Sequence, residues 1–452
     1  MFRQKLEVIV LSEGSYPDFQ QRLQEVFQRF YINSRPFSLN EFKALSHTEK
    51  LCQLVILSPP SSLENLQVAC DTVWKEIPSA FVVVPTLSRA LNKVKVSSSA
   101  GRILLLEEFH FFKTMKLEYV VGNQVRGRYF KSGVQEVFPM SSVPFSGYLP
   151  LELNQKYLKV ISEGEVLSES KYQKLLDHPT ADHTFYVPVA QVAAYKEYIN
   201  QYYDKSGKGF QKRLRASLMS VFNDLNMLVI LSFGDLRDEG LLQGCLQRVN
   251  TELSNTLELL TKGEDVWEEI LNFSNEDFGF NYPGFFSGIY GALLSLKLQI
   301  GNPLEVFWAG AFIDIGAFDV PKDVVEKYFF NQSEQKLSEL DKNDDFKKHP
   351  THSLNRLMSL SLEFSENVKA MVVSHEERHD EQGYPHQVPR NVLPLESQMI
   401  QLAAILYYES QSTLKLTKTS FRFMREKIWQ TEMEQKGRFS EDFLQKVASA
   451  LI

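Results

Sequence analysis

Ser374-His375-Glu376-Glu377-Arg378-His379-Asp380-Glu381-Gln382-Gly383-Tyr384-Pro385 is the stretch on which the reading of this 452-residue chain turns. It crowds imidazole, carboxylate and guanidinium groups together and ends in a Gly-Tyr-Pro turn. Five of the nine histidines, His349, His352, His375, His379 and His386, fall in this one region. Such clustering needs a chemical reason. Histidine, Asp and Glu supply the nitrogen and oxygen ligands that suit Fe, Mn or Zn, and a helical bundle can project them inward from several helices.

Working outward, His349-Pro350 follows Phe346-Lys347-Lys348, and Ala309-Gly310-Ala311-Phe312-Ile313-Asp314-Ile315-Gly316-Ala317-Phe318-Asp319-Val320-Pro321 lies further upstream. Pro283-Gly284-Phe285-Phe286-Ser287 precedes these segments and Met399-Ile400-Gln401-Leu402-Ala403-Ala404 follows them. After the glycine- and lysine-rich linker Lys205-Ser206-Gly207-Lys208-Gly209 the chain reads as almost wholly helical.

From about Phe210 to Ile452 the chain resembles the HD-GYP domain, the cyclic di-GMP phosphodiesterase family of the all-α HD superfamily. In register with that family's signature, His375 stands at the first histidine, Glu377-Arg378 at the Glu-Arg, Asp380 at the Asp, and Gly383-Tyr384-Pro385 at the name-giving triplet. The same comparison implies losses. Glu376 replaces the second histidine, Glu381 and Ser353 replace glycines, and Ile313 replaces the histidine of the His-Asp pair. Ala317 replaces a phosphate-contacting lysine, Phe285 a first-helix histidine and Ala404 a metal-binding Asp.

The resemblance thus leaves Asp314, His349 and His375, with Glu376 as an available oxygen ligand. They hold either a single Fe, Mn or Zn ion or no ion at all, as relics satisfied by mutual hydrogen bonds. A multi-metal centre that clamps a phosphodiester needs more ligands, and apolar Ile313 and Phe285 are hostile to developing charge, so no catalytic residue is assigned. His352 is either a substitute ligand, three residues from His349, or a surface residue; His379 and His386 are expected in solvent.

Residues 1–112 alternate apolar runs with helical stretches. Val8 to Leu11, Leu54 to Leu57, Phe81 to Val84 and Ile103 to Leu106 read as strands, and Phe19 to Phe30 and Leu66 to Ile77 as helices. Continuous β-branched runs between helices imply a parallel sheet covered on both faces. The order resembles a response-regulator receiver domain, a flavodoxin-like α/β fold, without its chemistry. Ser12-Glu13, Ser58-Pro59 and Glu107-Glu108 stand where that family keeps acidic, phosphoacceptor and lysine residues, and only Thr86 matches its switch hydroxyl.

Residues 113–204 read as a small mixed α/β domain. Leu117 to Val121 and Gln124 to Phe130, joined by Gly122-Asn123, are expected to form a hairpin; Tyr148 to Leu151, Tyr157 to Val160 and Phe185 to Pro188 are strands, and Val192 to Tyr203 is a helix. The degenerate HD-GYP domain is expected over residues 205–452, where the apolar stretch Leu214 to Leu260 serves either dimerisation or internal packing.

A net charge of −7, spread along the chain, offers no broad basic surface, so nucleic acid is not an expected partner. The cluster Lys205, Lys208, Lys212, Arg213 and Arg215 is either a small-anion site or a solvated face. Cys52, Cys70 and Cys245 are odd in number and far apart, as buried thiols in a reducing compartment would be. Neither a leader nor an uninterrupted apolar run of ~20 residues is visible, and the expectation is a cytoplasmic protein without membrane insertion.

The leading functional expectation is a non-enzymatic bacterial signalling protein. Its partners would be a protein such as a diguanylate cyclase domain, which the family's Gly-Tyr-Pro loop implies, or cyclic di-GMP held without cleavage. Arg378, Arg390 and Lys348 are either the cations that meet phosphates or solvated side chains, and Arg378, Asp380, Gly383, Tyr384 and Pro385 are the residues expected to meet a partner. The alternative is slow, metal-dependent cyclic di-GMP hydrolysis at the reduced site.

Overall fold

The computed structural model describes residues 7–12, 17–46, 52–86, 103–125, 128–151, 156–178, 183–203, 207–234, 239–262, 266–274, 280, 282–330, 340, 342–360, 362–414, 426, 429–430 and 437–451. Glu13, Tyr16 and the linker residues Lys205-Ser206 lie outside the described residues. The chain groups into two compact units: Met1–Arg126 with Asn226–Gln247 and Gly279–Ile452, and Gly127–Leu225 with Arg248–Phe278. The segments 1–112, 113–204 and 205–452 are therefore distributed over two units.

In the first unit, Val8–Leu11, Ser34–Phe37, Leu54–Leu57, Phe81–Thr86 and Ile103–Glu107 form one sheet. Every neighbouring pair is parallel, with Val8–Leu11 between Ser34–Phe37 and Leu54–Leu57, followed by Phe81–Thr86 and Ile103–Glu107. All four residues of Val8–Leu11 and of Leu54–Leu57 are buried, as strands covered on both faces require. The helix Leu63–Glu76 lays Leu66, Cys70, Val73 and Trp74 on Ile9, Val55, Val82 and Leu105. Its N-cap Ser62 accepts the Asn65 amide, so the helix starts where its first free N–H groups find a partner. Thr86 is buried and donates its hydroxyl to the Leu106 carbonyl, an inter-strand tie.

The hairpin expected around Gly122-Asn123 is not formed. Lys116–Val125 is a helix, and Lys116 through Gly122 are all buried. A run buried on every side carries no periodicity that separates strand from helix, and Asn123 spends its side-chain amide on the Tyr119 carbonyl one turn back instead of shaping a turn.

Helices Pro283–Leu298, Pro303–Phe312, Lys322–Phe330, His349–Ser359, Glu366–Ser374, Leu395–Leu414 and Glu441–Leu451 complete this unit. The first two cross so closely that a Cβ on Gly288 would lie 2.7 Å from the Phe307 carbonyl oxygen, and one on Gly310 would lie 2.6 Å from the Gly288 Cα. Contact at backbone distance fixes where Pro303–Phe312 ends, and Asp314 lies just past that end.

The second unit has an antiparallel sheet in the order Tyr129–Gly133, Thr184–Pro188, Gly147–Leu151, Lys156–Ile161, and a small pair, Ser142–Val143 with Glu165–Val166. The three later strands and the helix Val192–Tyr202 fall where the sequence puts them. Three of the basic residues suspected of binding an anion are engaged inside this unit. Lys212 and Arg215 face Glu136, and Arg213 donates to the Asn200 and Tyr203 carbonyls. Burial alone would raise the Glu136 pKa, but Arg215 and Lys212, with hydrogen bonds from Tyr195 and Ser132, hold it below the usual carboxylate range.

The stretch Leu214 to Leu260 is a pair of helices, Gly207–Ser232 and Glu239–Lys262. Among the described residues, Gly209–Ser232 is the one segment long and apolar enough to cross a membrane, and 78% of its most apolar window is buried. Burial to that extent is how a core helix uses such residues.

Candidate metal centre

Three chain turns deliver the ligands. Asp314 follows the helix Pro303–Phe312, whose start is fixed by Asn302 capping the Leu304 amide with Pro303 behind it. His349 opens the helix His349–Ser359, with Pro350 in its first turn. His375 is the C-cap of Glu366–Ser374, a helix begun by Ser365 capping the Val368 amide. Asp314, His349 and His375 are 3%, 0% and 2% exposed, so their polar atoms face one another and not water.

The geometry is convergent. His349 Nε2 lies 3.0 Å from His375 Nε2, and the two nitrogens lie 3.6 and 3.9 Å from Asp314 Oδ1. The point equidistant from those three atoms is about 2.1 Å from each, the length of a metal–imidazole or metal–carboxylate bond. Glu376 Oε1 is 3.8 Å from His349 Nε2 and 3.6 Å from His375 Nε2, and Glu376 is the partly exposed member of the group.

Hydrogen bonding on the far side of each ring fixes its tautomer. His349 Nδ1 meets the Phe346 carbonyl at 2.9 Å and His375 Nδ1 meets the Val372 carbonyl at 2.8 Å. A carbonyl only accepts, so each Nδ1 carries the proton, and in the neutral rings both Nε2 lone pairs point at the other. Two lone pairs at 3.0 Å repel unless a cation or a shared proton lies between them. A single ion would supply the first and the mutual-hydrogen-bond reading supplies the second. Tyr408 donates its hydroxyl to Asp314 Oδ2 at 3.1 Å, and Oδ1 is the oxygen that faces the two imidazoles.

Burial, reinforced by the neighbouring His375, holds the His349 imidazole well below its usual pKa, and burial pushes His375 down to about 4. Both rings are neutral near pH 7. The unfolded chain protonates them near 6.5, so between about pH 6.5 and 4 it binds more protons than the folded metal-free protein. The expected result is full stability above pH 6.5 and a decline as the pH falls toward 4, read as urea midpoints across that range. Midpoints that stay level there would contradict the assignment.

Of the positions read as losses, Ala404 lies half-buried in the helix Leu395–Leu414. Phe285 and Ile313 are fully buried, Phe285 packing edge-on against Phe286 with ring centroids 5.0 Å apart, and Ala317 is fully buried as well. His352 is half-buried, outside the ligand group, with its pKa lowered first by burial. His379 is partly buried and His386 exposed. The cations expected to meet phosphates are each paired with a nearby carboxylate: Arg378 with Asp380, Lys348 with Asp345 and Arg390 with Glu381.

Within the signature, Glu377 is a buried strut. Its carboxylate accepts the His386 and Val388 amides at 2.6 and 3.0 Å, closing the chain around Gly383-Tyr384-Pro385. Asp380 takes the Arg378 guanidinium, which holds its carboxyl below the usual range, and its amide donates to the Gly437 carbonyl.

Two supporting residues escape a motif reading. Tyr408 lies one helical turn beyond Ala404 on the same face, a spacing that could have pointed to it. Ser353, read as a glycine replacement, accepts the Gly316 amide at 2.8 Å and donates to the Ile313 carbonyl at 2.5 Å, pinning the turn around Asp314 to the helix of His349.

Residues 290–422 match the family model described as HD domain. No curated protein and no solved structure matches the chain. The stretch that brings Asp314, His349 and His375 together is thus an HD domain, a class that usually binds divalent metals.

Proposed function

We propose that the C-terminal region is a degenerate HD-GYP-like domain that holds one divalent ion and acts in signalling by contact, in place of efficient cyclic di-GMP hydrolysis. The observation that carries this reading is the convergence of Asp314, His349 and His375 on one point, beside fully buried Phe285, Ile313 and Ala317. A bound ion supplies Lewis acidity and a water of lowered pKa, but a two-ion clamp on a phosphodiester needs ligands that these apolar side chains do not offer.

Around that point this chain's groups do three things. Phe346 and Val372 carbonyls orient the imidazoles, Tyr408 orients the carboxylate, and Glu376 contributes an oxygen from the partly exposed side. The local pairing of Arg378, Lys348 and Arg390 leans the reading away from an anionic nucleotide and toward a protein partner such as a diguanylate cyclase domain, met through Gly383-Tyr384-Pro385. In this reading the N-terminal sheet is a receiver-like, flavodoxin-like domain, which its 2-1-3-4-5 parallel order supports, without a phosphoacceptor Asp.

Metal analysis of protein purified without chelators, paired with a cyclic di-GMP hydrolysis assay, tests the proposal. We expect about one Fe, Mn or Zn per chain, lost in His375→Ala, and no turnover. Slow turnover that disappears in His375→Ala would favour the weakly active phosphodiesterase instead. Two ions per chain with rapid hydrolysis would overturn the proposal.

A further inference from the structure

We propose that Lys116, from the helix Lys116–Val125 that follows the N-terminal sheet, is a positioning residue for the ligand cluster of the HD domain. The inference rests on the single-ion reading above. Lys116 is 1% exposed, and its Nζ lies 2.6 Å from Asp319 Oδ1. Asp319 ends the tight turn Ile315–Asp319 that begins at Asp314. On its other side Asp319 receives Arg356, whose Nε is 2.9 Å from Oδ2 and whose Nη2 reaches both oxygens.

Arg356 belongs to the helix that opens with His349, two turns further along the same face. One carboxylate therefore joins the Asp314 turn to the His349 helix, and Lys116 completes its coordination from a part of the chain about 200 residues away.

The remaining contacts make this a built cluster and not a surface pair. Arg356 Nη1 donates to the Ser232 carbonyl at 2.5 Å, and both Lys116 Nζ and Arg356 Cζ lie 5.9 Å from the Phe233 ring centroid. Two residues on from Lys116, buried Glu118 receives Lys322. Arg356 alone leaves Asp319 anchored on the helix side only. With Lys116 the carboxylate is held from two directions, so the turn behind Asp314 has one position relative to His349.

The test uses the full chain. Lys116→Met and Lys116→Arg are titrated with Co²⁺, following its d–d absorption, with near-UV circular dichroism confirming the fold. The ring ¹⁵N shifts of His349 and His375 are recorded in the metal-free proteins. We expect Lys116→Met to bind Co²⁺ roughly 10- to 100-fold more weakly with an altered spectrum, as loss of an outer-shell partner does. Its ring shifts should be displaced, and Lys116→Arg should restore both.

Wild-type affinity, spectrum and ring shifts in a folded Lys116→Met protein would overturn the inference. If the wild type binds no Co²⁺ while Lys116→Met still displaces the ring shifts, the single-ion reading fails and the positioning role stands. Should Lys116→Met not fold, Arg356→Lys keeps the charge but loses the fork. Ring shifts unchanged in that variant would equally overturn the proposal.

Discussion

Gly316→Ala is expected to cost about 3 kcal/mol or more and to abolish metal binding, because the added methyl has nowhere to go. A Cβ at this position would run into the His349 carbonyl oxygen and the Ser353 amide, and would lie 2.8 Å from the His352 Cβ. The first two are backbone atoms, which cannot swing aside as a side chain can. Relief requires the turn Ile315–Asp319 to part from His349–Ser359, breaking both Ser353 hydrogen bonds and separating Asp314 from His349. Urea unfolding read by circular dichroism, with metal content of the purified variant, checks both halves of the expectation. A variant of wild-type stability carrying its ion would show that the two segments are not held at this distance.

The second large effect is expected from Asp319→Ala. It leaves Lys116 and Arg356, both nearly buried, facing each other across an uncompensated gap. The two cations hold the Asp319 carboxyl far below the usual carboxylate range despite its burial, so it is ionised near neutral pH. Removing one partner from a buried ion cluster costs about 3–5 kcal/mol, most of it the desolvation of the charge left behind. Asp319→Asn keeps the shape and should recover little, since a neutral amide supplies no counter-charge and turns an NH2 donor toward two cations. Thermal and denaturant unfolding of the pair of variants separates lost charge from lost volume. A cost below about 1 kcal/mol would mean water reaches the cluster.

The sequence pattern was most informative where chemistry is local. Asp314, His349 and His375 are the ligands that the HD-GYP resemblance leaves in place, and the structure brings all three to one point. The parallel sheet was legible from its apolar runs, except for Ser34–Phe37, where exposed Arg35 and Pro36 hide an edge strand. Proline is tolerated there because an edge strand leaves some N–H positions unpaired.

The misread of Lys116–Val125 has a different cause. A segment buried all round shows only hydrophobicity, and Gly-Asn looks like a hairpin turn until tertiary packing decides otherwise. Least legible were the supports. Nothing local marks Lys116 as the partner of Asp319, or Tyr408 as the partner of Asp314, since each pairing spans a stretch of chain with no periodic signal. The local pairing of the cations chosen as phosphate contacts was not read either: each has a carboxylate two, three or nine residues away.

The ligand triangle has a mechanical consequence. Its corners lie on three segments that no covalent bond joins, and the three cysteines, Cys52, Cys70 and Cys245, are free thiols. An ion seated between Asp314, His349 and His375 would tie these segments together in the folded chain only, and would stabilise that state by mass action where a disulfide acts on the unfolded chain. Unlike a disulfide, this clasp opens to a chelator and needs no oxidant. On the single-ion proposal, the stability of the region that carries Gly383-Tyr384-Pro385 would then follow the supply of metal.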